Sequence, residues 1–197
     1  MAGSGAVLER WAALDRTLFN AINHGTVNPF FDWLMPLVSN DGLFRIPFLI
    51  LWILLIVRGG RARVAALWVV PLIALADQAS SSWLKDSIQR LRPCNALENV
   101  RMLAGCSSSF SMPSSHAANS GAAVAHFLFF FPRLWPYLVP VALSVAYSRV
   151  YMGMHYPADS LVGLLVGIAA ALVIQGLRRG CARAWMRWRR TRMPTPA

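Results

Sequence analysis

Three short stretches of the chain hold its candidate chemistry: KDSIQRLRP (85–93), PSSH (113–116) and SRVYMGMHYPAD (148–159). Lys85 and Arg92 are seven residues apart, two helical turns, so the spacing predicts one helix face carrying both, ended by Pro93. Arg149 comes from the end of a separate apolar segment. Three cations gathered at one surface repel unless an anion sits between them, and phosphate suits them: Arg offers a planar fork and Lys a point charge. In PSSH, a proline followed by small hydroxyl residues reads as a helix start, where free N–H groups and the helix dipole favour an anion. Ser114 and Ser115 add hydroxyl and amide donors there, and His116 is presented at the same end. His155 and Asp159 are four apart, with Pro157 suited to the first turn of a helix between them. That spacing predicts a carboxylate accepting a hydrogen bond from one imidazole nitrogen, which fixes the tautomer and leaves the other nitrogen basic. An oriented neutral imidazole is a nucleophile toward phosphorus. A second histidine then protonates the departing oxygen, and the cations stabilise charge on the equatorial oxygens. No carboxylate cluster suited to magnesium occurs in the sequence. The cations are therefore expected to replace a metal, with no cofactor.

These stretches must be positioned by apolar elements. Hydrophobic residues make up 56% of the 197-residue chain and charged residues 14%, unlike an ordinary soluble domain. Apolar runs at 43–57, 65–84, 117–131, 134–152 and 160–177 approach or reach the length of about 20 residues that crosses a bilayer. The first extends backwards through NPFFDWLMPLVSNDG. The expected fold is all-α, a single polytopic transmembrane bundle of five to six spans. A soluble helical protein with buried core helices is the alternative.

The net charge of +11 is distributed as topology. Arg58, Arg61 and Arg63, then Arg133, then seven arginines from Arg178 to Arg192 carry no neighbouring acid and mark one side under the positive-inside rule. Residues 85–116 and 149–157 then share the outer face. The tail, 178–197, is expected at the cytoplasmic surface, where it meets anionic lipid. It lacks any nucleic-acid recognition motif, so no nucleic-acid partner is expected. Residues 1–26 have charges spaced through an apolar pattern and read as an amphipathic interfacial helix; a sixth span results only if that helix crosses.

Cys94 and Cys106 both fall in the outer segment, whereas Cys181 falls in the inner tail. In an oxidising bacterial compartment a Cys94–Cys106 disulfide is expected, worth about 3 kcal/mol by loop entropy. Neither cysteine has zinc-type spacing. Asp77 falls inside an apolar segment, where an acid is costly and often functional; Arg45 is a candidate partner. His126 reads as a bundle-facing hydrogen-bonder and His24 as interfacial. The 8 tryptophans suit interface anchoring.

Together the three stretches resemble the signature motifs of the type-2 phosphatidic acid phosphatase family, whose superfamily also holds vanadium haloperoxidases and glucose-6-phosphatase. The family patterns are Lys, six residues, Arg-Pro; Pro-Ser-Gly-His; and Ser-Arg, five residues, His, three residues, Asp. Every spacing matches, with Ser115 at the usual glycine position, and the likeness covers about residues 65–177. The resemblance implies a phosphohistidine at His155 oriented by Asp159. It also implies His116 as general acid and then water activator, with phosphate held by Lys85, Arg92, Ser114, Ser115 and Arg149. Ser148 belongs to the motif without an expected direct contact. A lipid substrate is expected, because a site at the membrane mouth meets headgroups whose tails stay in the bilayer. Family analogy favours a polyprenyl diphosphate such as undecaprenyl diphosphate, handled at the periplasmic face of a bacterial inner membrane. Phosphatidylglycerol phosphate, phosphatidic acid and lipid A phosphate remain open, as do phosphotransfer to an acceptor hydroxyl, vanadate-dependent oxidation and lipid carriage. The oligomeric state is not readable.

Overall fold

The computed structural model describes residues 2–192. Met1 of the expected interfacial helix and residues 193–197 of the basic tail lie outside the described residues. The described chain is all-helical: α1 (Ala2–Asn23), α2 (Pro29–Val38), α3 (Asp41–Arg58), α4 (Gly60–Gln78), α5 (Leu84–Ile88), α6 (Pro93–Ala96), α7 (Ser115–Phe130), α8 (Trp135–Tyr151) and α9 (Pro157–Arg192).

A helix stands at each expected apolar run, but their lengths differ from a uniform set of spans. Among the described residues two segments, Gly60–Ala96 and Pro157–Arg192, are long and apolar enough to cross a membrane, and α2 with α3, bent by 53°, is a third if the pair forms one span. α7 and α8 have 16 and 17 residues, short of the about 20 that a perpendicular crossing needs. Phe131 breaks α7 ahead of the turn at Pro132, and Tyr151 ends α8 where the 152–156 turn begins.

The centre of the bundle is built from small residues. Leu72 and Ala76 of α4 meet Ala122 of α7 and Ala170, Ala171 and Ile174 of α9. Gly163 and Gly167 let α9 lie directly on α7, as small residues do in close helix pairs. A Cβ at Gly167 would stand 2.1 Å from the Ala118 carbonyl oxygen, and one at Gly163 would stand 2.4 Å from that of Ser114. Polar links cross the same core. His126 Nε2 donates to the Ala65 carbonyl (2.9 Å), its Nδ1 meets Gln175 Nε2 (3.4 Å), and Arg178 Nε donates to Gln175 Oε1 (2.8 Å).

α3 is apolar on every side and buries no residue; Ile46, Phe48, Leu49, Ile50, Leu54 and Val57 all point outward. Such a helix needs an apolar surrounding. α1 carries two opposed stripes. Val7, Trp11, Leu14 and Leu18 are exposed, while Asp15, Phe19 and Asn23 are buried against the bundle. Phe19 sits on Val150 and Tyr156. Asn23 bonds the carbonyls of Arg101 (2.9 Å) and Tyr151 (2.8 Å), and it accepts from the Arg101 amide (2.9 Å).

The helix expected to run from Lys85 to Pro93 is shorter. α5 ends at Ile88, and Gln89 takes the left-handed conformation at φ 53°. Arg92 is extended (φ −69°, ψ 154°) and Pro93 opens α6 instead of stopping α5. Pro93 accounts for the extended Arg92, because a proline ring disfavours the helical region for the residue before it; α5 itself ends earlier, at the left-handed Gln89. A π turn at Ala79–Trp83 separates α4 from α5 and rotates Lys85 relative to the α4 face. Asp77 does not pair with Arg45; it accepts from Asn119 Nδ2 (3.1 Å), and Ser81 Oγ caps its carbonyl (2.6 Å).

Candidate active site

One end of the bundle gathers the polar residues singled out by spacing. Lys85, Arg92, Ser114, Ser148, Arg149, His155 and Asp159 are all buried. They arrive from α5, the 89–92 strap, the start of α7, the end of α8, the 152–156 turn and the start of α9. The turn is held by backbone: the amides of Met154 (3.0 Å) and His155 (3.2 Å) both donate to the Arg149 carbonyl. Gly153 makes it possible, with φ 80° and a space where a Cβ would stand 2.7 Å from the Arg101 carbonyl oxygen. The Ser114 amide donates to the Asp159 carbonyl (3.0 Å), which ties the start of α7 to the start of α9. That amide is therefore spent inside the protein and is not one of the anion donors expected at this helix start. The Ser114 hydroxyl caps α7, accepting from the Ala117 amide at 3.5 Å.

His155 has a defined tautomer. Arg92 Nη1 stands 3.1 Å from His155 Nε2. A guanidinium only donates, so Nε2 is the bare nitrogen and Nδ1 carries the proton. Burial pushes this imidazole down to about 4; Asp159 pulls the other way, while Arg92 and Arg149 add to the fall. The ring is neutral at pH 7 with its lone pair turned toward the cations.

The expected His155–Asp159 hydrogen bond is not formed at bonding distance. Nδ1 and Oδ2 are 3.7 Å apart, and Nδ1 is buried without a partner. The carboxylate is already occupied: Oδ2 accepts from the Ser111 hydroxyl and from the Tyr156 amide (2.8 Å), and Oδ1 from Arg90 Nη1 (2.7 Å). Asp159 stands beside the ring as a charge, 3.7 Å from Nδ1.

Arg92 is gripped from the loop before α7 and from the 152–156 turn: its Nε donates to the Ser109 carbonyl (2.8 Å), Nη2 to the Ser109 hydroxyl (2.9 Å) and Nη1 to the Met154 carbonyl (3.1 Å). Cys94 and Cys106 are disulfide-bonded, with Cα atoms 6.1 Å apart, and so join the segment that follows Arg92 to the one that precedes Ser109. Arg149 and Lys85 stand within electrostatic reach of Arg92 and His116. Among the described residues no carboxylate forms a salt bridge with Lys85, Arg92 or Arg149, while Arg149 Nε and Ser115 Oγ are buried without partners. Orphaned buried donors are costly, and an anion between them removes the cost. Ser148 turns elsewhere, sharing its hydroxyl with Ser39 and donating to the Val145 carbonyl (2.7 Å).

Three charged residues that spacing did not single out complete the arrangement. His116 Nε2 lies 3.1 Å from Asp41 Oδ2, in the first turn of α3. Arg90 and Asp15 stand behind Asp159, with Arg90 Nη2 2.6 Å from Asp15 Oδ2. Arg90 lay in plain view between Lys85 and Arg92, but Asp15 and Asp41 lie far from the motifs in sequence, where only folding reveals a partner.

A neutral imidazole at His155, a second histidine at His116 and three cations without carboxylate partners among the described residues, gathered at one end of an all-helical bundle, suit a phosphate group. Residues 65–183 match the family model described as PAP2 superfamily, and the chain belongs to that family. It is 28% identical over 171 residues to a lipid A 4'-phosphatase of Bacteroides thetaiotaomicron, covering 82% of this chain and 75% of that one. An undecaprenyl-diphosphatase of Sulfolobus acidocaldarius is 28% identical over 151 residues, covering 76% and 71%. The fold is shared with the crystal structure of Aquifex aeolicus LpxE, at a TM-score of 0.65, 23% identity and coverage of 83% and 95%.

Proposed function

We propose that the chain hydrolyses a lipid phosphate ester or diphosphate through a phosphohistidine at His155. The carrying observation is the unmet donor set, Arg149 Nε and Ser115 Oγ, beside an imidazole whose bare Nε2 faces Arg92. Phosphate enters between Lys85, Arg92, Arg149 and the start of α7. Nε2 attacks phosphorus as the ester oxygen leaves, and His116, held by Asp41, gives that oxygen its proton. The same imidazole then takes a proton from water, which attacks phosphorus and frees His155 and inorganic phosphate. The equatorial oxygens meet guanidinium and ammonium groups in the role that metal ions fill elsewhere. Turnover is accordingly expected to persist in EDTA.

The outward-facing apolar residues of α3, together with the long apolar α4 and α9, support a seat in the bilayer. Crossings by α7 and α8, short helices that a locally thinned bilayer accommodates, then complete five spans, with α1 lying in the interface on Val7, Trp11, Leu14 and Leu18. The arginines at the end of α9, taken as the cytoplasmic side, support a site that faces the periplasm from an inner membrane. Polyprenyl diphosphate remains the preferred substrate, and a lipid A phosphate is the second reading, favoured by the Bacteroides relative. Phosphate release in detergent from a polyprenyl diphosphate, lipid A, phosphatidylglycerol phosphate and phosphatidic acid tests the reading. Release from at least one, lost in His155→Ala and unaffected by EDTA, is expected. Equal release by His155→Ala, or loss in EDTA restored by magnesium, contradicts it.

A further inference from the structure

Resting on the assignment of His155 as nucleophile, we infer that Asp15 of α1 and Arg90 form a two-residue positioning device that holds Asp159 in the orientation the nucleophile needs. Arg90 spans two carboxylates with the two arms of its guanidinium: Nη1 to Asp159 Oδ1 (2.7 Å) and Nη2 to Asp15 Oδ2 (2.6 Å). Its plane rests over the Tyr156 ring, 3.9 Å from the centroid. The other oxygen of Asp15 accepts from the Ala158 amide (2.8 Å), at the first turn of α9. α1 therefore contacts both the cation behind Asp159 and the backbone beside it, from outside the segment that matches the family model.

Division of the fork is what matters. A guanidinium facing one carboxylate prefers two parallel bonds, one to each oxygen. Arg90 in that geometry would take Oδ2 of Asp159 as well as Oδ1. Asp15 occupies the second arm, so Asp159 gives Arg90 only Oδ1. Oδ2 stays on the His155 side, fixed by Ser111 and the Tyr156 amide, 3.7 Å from Nδ1. Charge is divided in the same way. A fully buried Asp159 needs a counter-cation, but one cation paired with it alone would cancel the charge that holds the Nδ1–H tautomer. Two carboxylates sharing one guanidinium leave a net negative charge facing the imidazole. Arg90 and Asp15 touch neither phosphate nor the attacking nitrogen, so they act through Asp159.

The test compares Asp15→Asn, Asp15→Glu, Arg90→Gln and Phe19→Leu in the full chain. Each is measured for kcat, KM, rate of phosphoenzyme formation and thermal midpoint in detergent, with whichever lipid phosphate the wild type hydrolyses. Asp15→Asn is nearly isosteric and keeps an acceptor for Ala158, so it removes the charge that divides the fork. Its kcat and phosphorylation rate are expected to fall by about 10- to 100-fold, the usual cost of losing an outer partner of a reactive group, with KM within about twofold because the phosphate donors are untouched. Arg90→Gln falls at least as far, and Asp15→Glu recovers most of the loss. Phe19→Leu loosens the same helix without touching the charges; it lowers the thermal midpoint and leaves kcat near wild type. Wild-type kcat in folded Asp15→Asn overturns the inference. So does a loss in Phe19→Leu matching that in Asp15→Asn, which would make α1 a general support. Activity in His155→Ala would instead overturn the nucleophile assignment, a separate result.

Discussion

Two histidines of this chain are almost wholly buried, and they sit in different worlds. His126, in the middle of the bundle, has both ring nitrogens engaged, by the Ala65 carbonyl and by Gln175. It bridges α4, α7 and α9, and nothing about it asks for a ligand. His155, at one end of the bundle, has a buried Nδ1 with no bond and an Nε2 facing an arginine. Around it stand donors that the protein leaves unmet. Burial alone does not mark a reactive group; burial with unfinished hydrogen bonding does.

That contrast is broken most directly by substitution. His155→Ala is expected to cut turnover by about 10⁴-fold or more, as loss of a nucleophile does, with the folded state preserved by detergent thermal melts. His126→Phe is the mirror case. It leaves the Ala65 carbonyl and Gln175 amide unpaired at a cost of about 1–3 kcal/mol, seen as a lower thermal midpoint, while kcat per folded molecule holds. A kcat loss in His126→Phe as deep as that of His155→Ala would erase the distinction.

Acid titration sharpens the comparison. The folded His155 titrates at about 4, below the ordinary 6.5. As pH falls from 6.5 toward 4 the unfolded chain takes up a proton that the folded ring refuses, so this group's contribution to stability is complete above 6.5 and is lost through that window. Histidine-labelled NMR spectra in detergent should include an imidazole still neutral at pH 5 whose signal is absent in His155→Gln. An ordinary titration near 6.5 at that position would contradict the burial argument. The smallest expected effect is at Ser115. Ser115→Gly removes a hydroxyl but keeps the amide at the start of α7, so KM is expected to rise only about two- to threefold, in line with one hydrogen bond of about 0.5 kcal/mol.

Much of this geometry is written locally. The spacing of His155, Pro157 and Asp159 specifies a turn feeding a helix. Ser114 is read as a helix start and caps α7, and the apolar runs lie on helices. Other features depend on contacts that no spacing encodes. The end of α5 at Ile88 follows from the left-handed Gln89, which no residue type announces, and Pro93 opens α6 instead of stopping α5. The 3.7 Å gap between His155 and Asp159 exists because Ser111, Tyr156 and Arg90 claim the carboxylate first. Asp15 and Asp41 belong to segments that look like ordinary helix starts or surfaces; each meets its partner only when α1 and α3 are folded against the end of the bundle that holds His155. The number of spans is similarly blurred, since α7 is held by packing against α4 and α9, and α8 by packing against α7, α2 and α9, more than by their own length.

The central claim is that Nε2 of His155 takes the phosphoryl group. Incubating the protein with a radiolabelled lipid phosphate, quenching in base and mapping the label by mass spectrometry tests it most directly. A base-stable, acid-labile phosphoramidate on His155, missing from His155→Ala, is predicted. Label on another residue, or full turnover with no covalent label at any quench time, would contradict it.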